Sequence, residues 1–409
     1  MPMNIAVPVP PVASTPRIPL PERTELAFTG APGDFFGLVA KGAALILPTA
    51  GFYRFWLITD IRRHLWGKTR IGGESLEYTG TGRELLIGFM IALAVLAPIY
   101  VGYFALSLAA ERMQAFASVP LFLVLYVFGQ YAVYRARRYR ATRTIFRGVR
   151  FWMTGSAWRY AGKTFLWDLA TLFSLGLALP WRMAALERYK MQNTRFGDLA
   201  GDFAGTGSTL FRRGVALWAM TIGLAIAAGV LAIFVGNAAR VIVLIGLLSA
   251  MSFTLPIAYV LFRGTLIRWL IEGVRFGAVA LESRLRRDTV FGCYLKWLAA
   301  TTGYGAVLAG VLGSLFAARL GDLNKLEASL AADWSSYAFE AAAVLLLYLA
   351  FLLGLGVLKR YFLDRGIWVA VAASTTVVNL TAADHAVAAG EAAGSLGEGL
   401  ADALDVGAI

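Results

Sequence analysis

Residues 68–108 have the sequence KTRIGGESLEYTGTGRELLIGFMIALAVLAPIYVGYFALSL, in which a polar, glycine-rich stretch directly precedes a long apolar one. The apolar part, residues 85–108, contains no charged side chain. A helix needs about 20 apolar residues to cross about 30 Å of hydrocarbon. The stretch therefore predicts a membrane-spanning helix that begins beside a water-exposed, turn-rich segment.

The composition of the whole chain is also that of a membrane protein. Of its 409 residues, 58% are hydrophobic and 15% are charged, whereas soluble domains have about 45–50% apolar and about 25% charged residues. This excess excludes an ordinary soluble enzyme and a disordered chain, and the lone Cys293 excludes a disulfide scaffold. We predict an all-α multispanning membrane protein.

Two kinds of apolar block follow one another along the chain. Two blocks are marginal, since residues 37–58 contain Lys41 and Arg54 and residues 163–181 contain Asp168. Six blocks are long enough to span a membrane: residues 85–108, 118–135, 214–236, 240–262, 290–316 and 336–358.

The charges between the blocks predict their orientation. Arginine and lysine are concentrated in segments that should face the cytoplasm: residues 59–84, 136–162, 182–213 and 263–289. Because blocks 37–58 and 163–181 have basic sequence on both flanks, we expect each to be a re-entrant or interfacial helix that does not cross. Eight spanning helices are the alternative. The six-span arrangement places the N- and C-termini in the cytoplasm.

A shift of 125 residues aligns separate motifs without a gap and indicates internal repeats of about that length. The aligned pairs are TRIG (69–72) with TRFG (194–197), GTG (80–82) with GTG (205–207), and GVRF (148–151) with GVRF (273–276). Since both copies of each loop are basic, the units should be parallel. The predicted division is a Pro-rich disordered tail at 1–25, membrane repeat units at 26–147, 148–272 and 273–373, and a cytoplasmic C-terminal segment at 374–409.

The polar segments 68–79 and 193–204 have glycine and aspartate spacing typical of turns between short extended pieces. We expect a small cytoplasmic hairpin in each unit. Thr81 and Glu84 fit a capping box at the start of a spanning helix, and Thr206 stands at the equivalent place. A phosphate-binding loop is the alternative for Gly80–Gly82, although the spacing is not that of a P-loop or a dinucleotide fingerprint.

Ionisable residues inside apolar blocks are the candidate functional residues. They are Asp168, Glu340, Lys296 and Lys41. The two acids could pair with Lys296 or with loop arginines and line a polar cavity. The alternative is that the lysines extend their ammonium groups to the membrane surface and that Asp168 lies at the interface.

No catalytic or metal-binding pattern is visible in the sequence. His64 and His385 are far apart, no Cys/His pair has metal spacing, and no motif joins a nucleophile to a base. We therefore expect no enzymatic activity and no cofactor. The net charge of +13 follows from the basic loops, which favours the lipid bilayer with its anionic headgroups, and another membrane protein, as partners over nucleic acid.

Several of these motifs resemble the YjgN family, also known as domain of unknown function 898. The resemblance rests on Phe28-Thr29-Gly30, Gly51, Trp56, the TRIG, GTG, GVRF and TRFG motifs and the closing Gly397-Glu398-Gly399-Leu400-Ala401-Asp402 run. It covers nearly the whole chain after the Pro-rich tail. It implies a multi-pass protein of the bacterial inner membrane and carries no activity or site residue with it.

Two functions remain open at this point. The first is transport of a small or lipid-like solute, since repeats, non-spanning helices and intramembrane polar residues often build such pathways. The second is a membrane scaffold or regulator of a partner membrane protein, such as a protease, that docks on the basic loops and hairpins.

Overall fold

A computed structural model of the protein describes residues 23–109, 114–320 and 334–390. Most of these residues are helical. The helices are α1 (Pro32–Ile46), α2 (Arg54–Gly67), α3 (Gly82–Ala109), α4 (Gln114–Thr142), α5 (Ala157–Phe173), α6 (Leu179–Gln192), α7 (Gly207–Phe234), α8 (Asn237–Gly273), α9 (Arg287–Leu320), α10 (Trp334–Lys359) and α11 (Gly366–Ser374), with a π-helix at Arg360–Arg365 between the last two.

Within the described ranges, five helical stretches are long and apolar enough to cross a membrane. They are Gly82–Ala105, Gly207–Phe234, Ala239–Gly273, Arg287–Ser314 and Ala341–Ser374. Five of the six predicted spans fall on them, whereas block 118–135 lies inside α4 and is not among the five. Large apolar side chains such as Ile233 and Phe253 are exposed on these helices, as expected for surfaces that face lipid.

Each marginal apolar block is a pair of short helices that returns on itself. Helices α1 and α2 are joined by a turn with positive φ at Ala50 and Gly51, and α5 and α6 by the same turn at Leu175 and Gly176. Helix α5, with 17 residues, is about 25 Å long. Each block is therefore a helical hairpin of two short helices and not one continuous long helix.

An antiparallel sheet of eleven short strands corrects the all-α prediction. Its order is β3-β2-β1-β11-β10-β9-β8-β7-β6-β5-β4. The strands are β1 (Arg23–Phe28), β2 (Thr69–Ile71), β3 (Glu74–Ser75), β4 (Glu77–Tyr78), β5 (Thr144–Phe146), β6 (Val149–Met153), β7 (Thr194–Phe196), β8 (Leu199–Phe203), β9 (Val274–Phe276), β10 (Val279–Ser283) and β11 (Thr375–Val378).

The sheet contains more hairpins than the sequence predicted. Segments 68–79 and 193–204 form hairpins, as predicted, but 144–153 and 274–283 do so too. Strand β1 begins at Arg23, so the last three residues of the predicted tail 1–25 belong to the sheet; residues 1–22 lie outside the described part. The strands outside the two predicted hairpins were missed because two to six residues show too few alternations of apolar and polar side chains to reveal a period of two.

The sheet closes on itself through residues 74–78. Strand β3 pairs with β2 at one end of the order, β4 pairs with β5 at the other, and only Leu76 separates β3 from β4. Strand β8 is divided in the same way, since its first residues pair with β7 and its last with β9. When β3 and β4 are counted as the two parts of one strand, the described strands form a small closed barrel in which every strand has a neighbour on both sides.

All helices leave the barrel from the same end. Hairpins β2–β4, β5–β6, β7–β8 and β9–β10 turn at the opposite end, where Gly72, Gly148, Gly197 and Gly277 adopt positive φ. At the other end, β1, β4, β6, β8 and β10 each lead within a few residues into a helix, and β2, β5, β7, β9 and β11 each follow one. The barrel thus stands as a cap on one side of the helices.

The barrel is filled by its own side chains and by the segment that follows β11. Phe146, Phe196 and Val279 point into one apolar cluster with Leu380 and Ala383, which lie on a 3₁₀-helix at Leu380–Ala383. The segment is held further by an ion pair of Asp384 with Arg147 and by the Val387 amide, which donates to Asp198 at 2.9 Å. The predicted C-terminal segment 374–409 therefore begins inside the barrel, and its residues 391–409 lie outside the described part.

We predict that Leu380→Ala lowers the free energy of unfolding by about 2–5 kcal/mol, because it leaves a cavity in the barrel core. Leu380 is 3% exposed. Val387→Ala is the matched control, since this side chain is 65% exposed and its loss should cost less than about 0.5 kcal/mol. Thermal unfolding in detergent measures both; equal shifts in Tm would show that the segment is not part of the core.

Candidate functional site

Helix α4 and the α5–α6 hairpin enclose a seam of polar side chains, which we call the α4–α6 seam. At its distal end, Asp168 forms an ion pair with the Arg182 guanidinium, whose Nη2 donates to Oδ2 at 3.1 Å. The Tyr126 hydroxyl also donates to Asp168. The structure thus joins Asp168 to a loop arginine, which was one of the two pairings that the sequence allowed.

A second ion cluster occupies the end of the seam next to the barrel. Glu187 accepts from Arg137 Nη1 at 2.8 Å and pairs with Lys190, and all three side chains are largely buried. Burial by itself would raise the pKa of Glu187, but the adjacent Arg137 guanidinium and Lys190 ammonium override it and lower the pKa to about 2. Burial lowers the pKa of Lys190. The cluster is a three-membered charge network that clamps α6 to α4.

Three tyrosines pack together beside this cluster. The ring centres of Tyr134, Tyr160 and Tyr189 lie 5.3–6.2 Å apart. The Tyr189 hydroxyl donates to the Ser156 carbonyl at 2.9 Å, and the Lys163 ammonium lies 4.6 Å from the centre of the Tyr189 ring. These contacts fix the α5–α6 hairpin on α4.

The predicted capping box is only half formed. Thr81 Oγ1 accepts from the Glu84 amide at 3.3 Å, and Thr206 caps α7 by accepting from the Thr209 amide. The Glu84 carboxylate does not turn back to the helix start. It accepts instead from Tyr139 of α4 and from Arg143, the residue directly after α4, both at 2.7 Å. Glu84 is therefore a tertiary contact between α3 and α4 rather than part of a cap.

The Gly-Thr-Gly motifs are explained by packing and not by an anion. A Cβ on Gly82 would lie 2.9 Å from the Trp56 Cα, and one on Gly207 would lie 2.7 Å from the Trp181 Cα. Only glycine therefore lets the first turn of α3 or α7 approach the preceding hairpin so closely. The loop before Gly82 presents its carbonyl to Arg63, whose Nη2 donates to the Gly80 oxygen at 2.8 Å.

The two candidate lysines are separate from the ion pair of Asp168. Lys41 on α1 and Lys296 on α9 are both exposed. Residue 340 lies in α10, and the side chain of Glu340 is outside the described part. Among the three candidates whose side chains are described, Asp168 pairs with Arg182 and with neither lysine.

The seam residues Arg137, Arg182, Glu187 and Lys190 were missed by sequence reasoning. They lie in basic segments, so their charge was attributed to membrane orientation alone. Glu187 is an acid between Arg182, Arg188 and Lys190, and an acid so placed in a basic, otherwise apolar helix could have indicated an internal ion pair.

The chemistry available in this seam is that of structural ion pairs. Asp168 and Glu187 each accept from an arginine, which leaves neither as a free general base. Among the described residues, no three His, Cys, Asp or Glu side chains converge as metal ligands. The seam is suited to holding a helical hairpin in place.

The comparison with known families decides the classification of the chain. A profile described as a bacterial protein of unknown function (DUF898) matches residues 23–403. The chain belongs to this family. No curated protein and no solved structure gives a significant match. The matched range begins at β1 and therefore includes all the described strands and helices of this chain.

We predict that Glu187→Gln lowers the free energy of unfolding by about 3–5 kcal/mol, because Arg137 and Lys190 remain buried without their shared anion. Glu282→Gln is the matched control. Its partner Arg23 is 64% exposed, so the loss should stay below about 1 kcal/mol. Unfolding in detergent at neutral pH measures both, and equal losses would show that the seam pairs behave as surface pairs.

We also predict that the difference in stability between wild type and Glu187→Gln depends on pH. Because the folded-state pKa of Glu187 is lowered from 4.5 to about 2, its ion pairs stabilise the protein above pH 4.5 and lose this effect as the pH falls toward 2. The difference in Tm between wild type and Glu187→Gln should therefore shrink steadily over that range. A difference independent of pH would mean that the carboxylate is not ionised in the folded protein.

Proposed function

We propose that the protein is a scaffold of the bacterial inner membrane that holds a rigid β-barrel at the cytoplasmic surface and binds a partner membrane protein there. The observation that carries this proposal is the closed barrel, whose interior is filled by Phe146, Phe196, Val279 and Leu380. A filled barrel cannot serve as a conduit, but its fixed outer surface suits protein recognition.

The proposed arrangement has six spanning helices and two re-entrant hairpins. Helix α4 is the sixth span. Its 29 residues give a length of about 43 Å, and because it follows α3 directly it returns the chain from the far end of α3 to the barrel. Each spanning pair, like each re-entrant hairpin, starts and ends at the barrel. The basic segments then all lie beside the barrel, which supports a cytoplasmic location for it.

Matching element bounds support parallel repeats. Helix α6, strand β7 and helix α7 each begin 125 residues after α2, β2 and α3. The other two hairpins are offset by a different number of residues, since β9 and β10 begin 130 residues after β5 and β6. The two GVRF motifs therefore occupy different places, one starting at the turn of its hairpin and the other at the end of α8.

Cysteine labelling from outside the cell tests this topology. In a Cys293→Ser background, single cysteines at Ser75 and Ala200 (barrel), Leu175 (tip of the α5–α6 hairpin) and Gly236 (between α7 and α8) would be treated with a membrane-impermeant maleimide. We expect labelling at position 236 alone. Labelling at 75 or 200 would contradict the cytoplasmic barrel, and labelling at 175 would show that the hairpin crosses.

Photo-crosslinking in native membranes tests the scaffold function. A photoreactive residue replacing exposed Asp198 or Ala278, at the turn end of the barrel, should capture one defined protein in stoichiometric yield, whereas the same residue replacing lipid-exposed Phe253 should not. Leu380→Ala should reduce the capture by disturbing the barrel. Capture of many proteins at low yield from all three positions would contradict a specific partner.

Transport of a lipid-like solute is the second candidate, supported by a separate observation. An apolar groove of about 370 Å³ runs between the tip of the α5–α6 hairpin and helices α7 and α8, and Leu175, Trp218 and Tyr259 are among its lining residues. Lipid scrambling by the purified protein in proteoliposomes, abolished by Gly214→Trp, would favour this function over the scaffold.

A further inference from the structure

A basic cavity of about 490 Å³ lies where α7, α8 and α9 join the barrel. Arg213 of α7, Arg268 of α8 and Arg286 and Arg287 at the start of α9 line it, together with Gly264. Helices α7, α8 and α9 all contain membrane-spanning stretches, and these arginines stand at their barrel ends. The cavity therefore lies at the depth of the lipid headgroups.

The cavity has an excess of positive charge. Four arginines share two carboxylates: Glu272 accepts from two of them at 2.9 and 2.7 Å, and Asp288 pairs with Arg286 at 2.6 Å. The Arg287 guanidinium donates to a backbone carbonyl, that of Arg213, at 3.2 Å. Two positive charges are thus not neutralised by these carboxylates, and arginines in this number match the oxygens of a phosphate group.

Gly264 lets the start of α9 approach α8 closely beside the cavity. A Cβ on Gly264 would lie 3.2 Å from the Arg287 Cα, which is tighter than an ordinary contact. The glycine therefore places Arg286 and Arg287 at the beginning of α9 next to Arg268 of α8.

The apolar groove adjoins this cavity on the same two helices. Gly214 and Phe262 line the groove, and Arg213 and Gly264 line the cavity, so the two are one or two residues apart along α7 and α8. In a phospholipid the phosphate and the acyl chains are also next to each other, so one molecule can occupy the cavity and the groove together. A free phosphate ion would use only the cavity.

We propose that this cavity and groove form a binding site for one anionic phospholipid, with the phosphate among Arg213, Arg268 and Arg287 and an acyl chain along Gly214 and Phe262. The site is distinct from the surface that the scaffold function uses, so either proposal can fail without the other. It would tie α7, α8 and the start of α9 to the inner-leaflet lipid.

Native mass spectrometry of the purified protein tests the site. The probes are dioctanoyl phosphatidylglycerol, dioctanoyl phosphatidylcholine and inorganic phosphate. Arg268→Gln combined with Arg287→Gln removes two charges from the cavity. Arg23→Gln combined with Arg70→Gln is the control, because it removes the same charge from exposed positions on β1 and β2.

The wild-type protein should bind one molecule of phosphatidylglycerol, and with higher affinity than it binds phosphatidylcholine. The cavity variant should lose about thirtyfold in this affinity, at about fivefold for each arginine, while the control stays within about twofold. Equal losses of affinity in both variants would show that the lipid responds only to net charge, which would overturn the proposed site. Inorganic phosphate that binds as tightly as the lipid would overturn the assignment to a phospholipid.

Discussion

Pairing of the backbone between very short strands is the constraint on which this structure depends. Strands of two to six residues make too few hydrogen bonds to be stable as separate hairpins. They become stable here because residues 74–78, which pair with β2 through β3 and with β5 through β4, close the ring and enclose one apolar core. Closure also requires strands from all parts of the chain, so the barrel fixes where every helix begins and ends.

The closed ring of strands determines the arrangement of the helices. The helices that leave and return at the same end of the barrel differ in length: α5 and α6 have 17 and 14 residues, while α7 and α8 are long and apolar enough to cross a membrane. The buried ion pairs of the α4–α6 seam act within this frame. Their net contribution to stability is limited by desolvation, but they define one position of the hairpin on α4.

The sequence predicted the apolar helices well because a long apolar run is a strong local signal. From loop charge it also predicted that 37–58 and 163–181 do not cross, with eight spanning helices as the alternative, and the structure forms each block as two short helices joined by a turn. It failed on the barrel, because the paired residues of β1 and β11 are 351 to 355 positions apart in sequence and meet only in the folded chain. Among candidate residues, Asp168 was recognised, whereas Glu187 was hidden among basic neighbours, and its partner Arg137 lies 50 residues away on another helix.

Closure of the sheet between β4 and β5 is the central claim, and a cross-strand disulfide tests it most directly. Glu77 and Ile145 are opposite each other in this pair, at a Cα separation of about 4.5–5.5 Å that a disulfide can bridge. In a Cys293→Ser background, cysteines at 77 and 145 should form a disulfide rapidly and almost completely under mild oxidation. Cysteines at 77 and 280, on strands that are not neighbours, provide the comparison. A rate for 77–145 no faster than that for 77–280 would contradict the closed barrel.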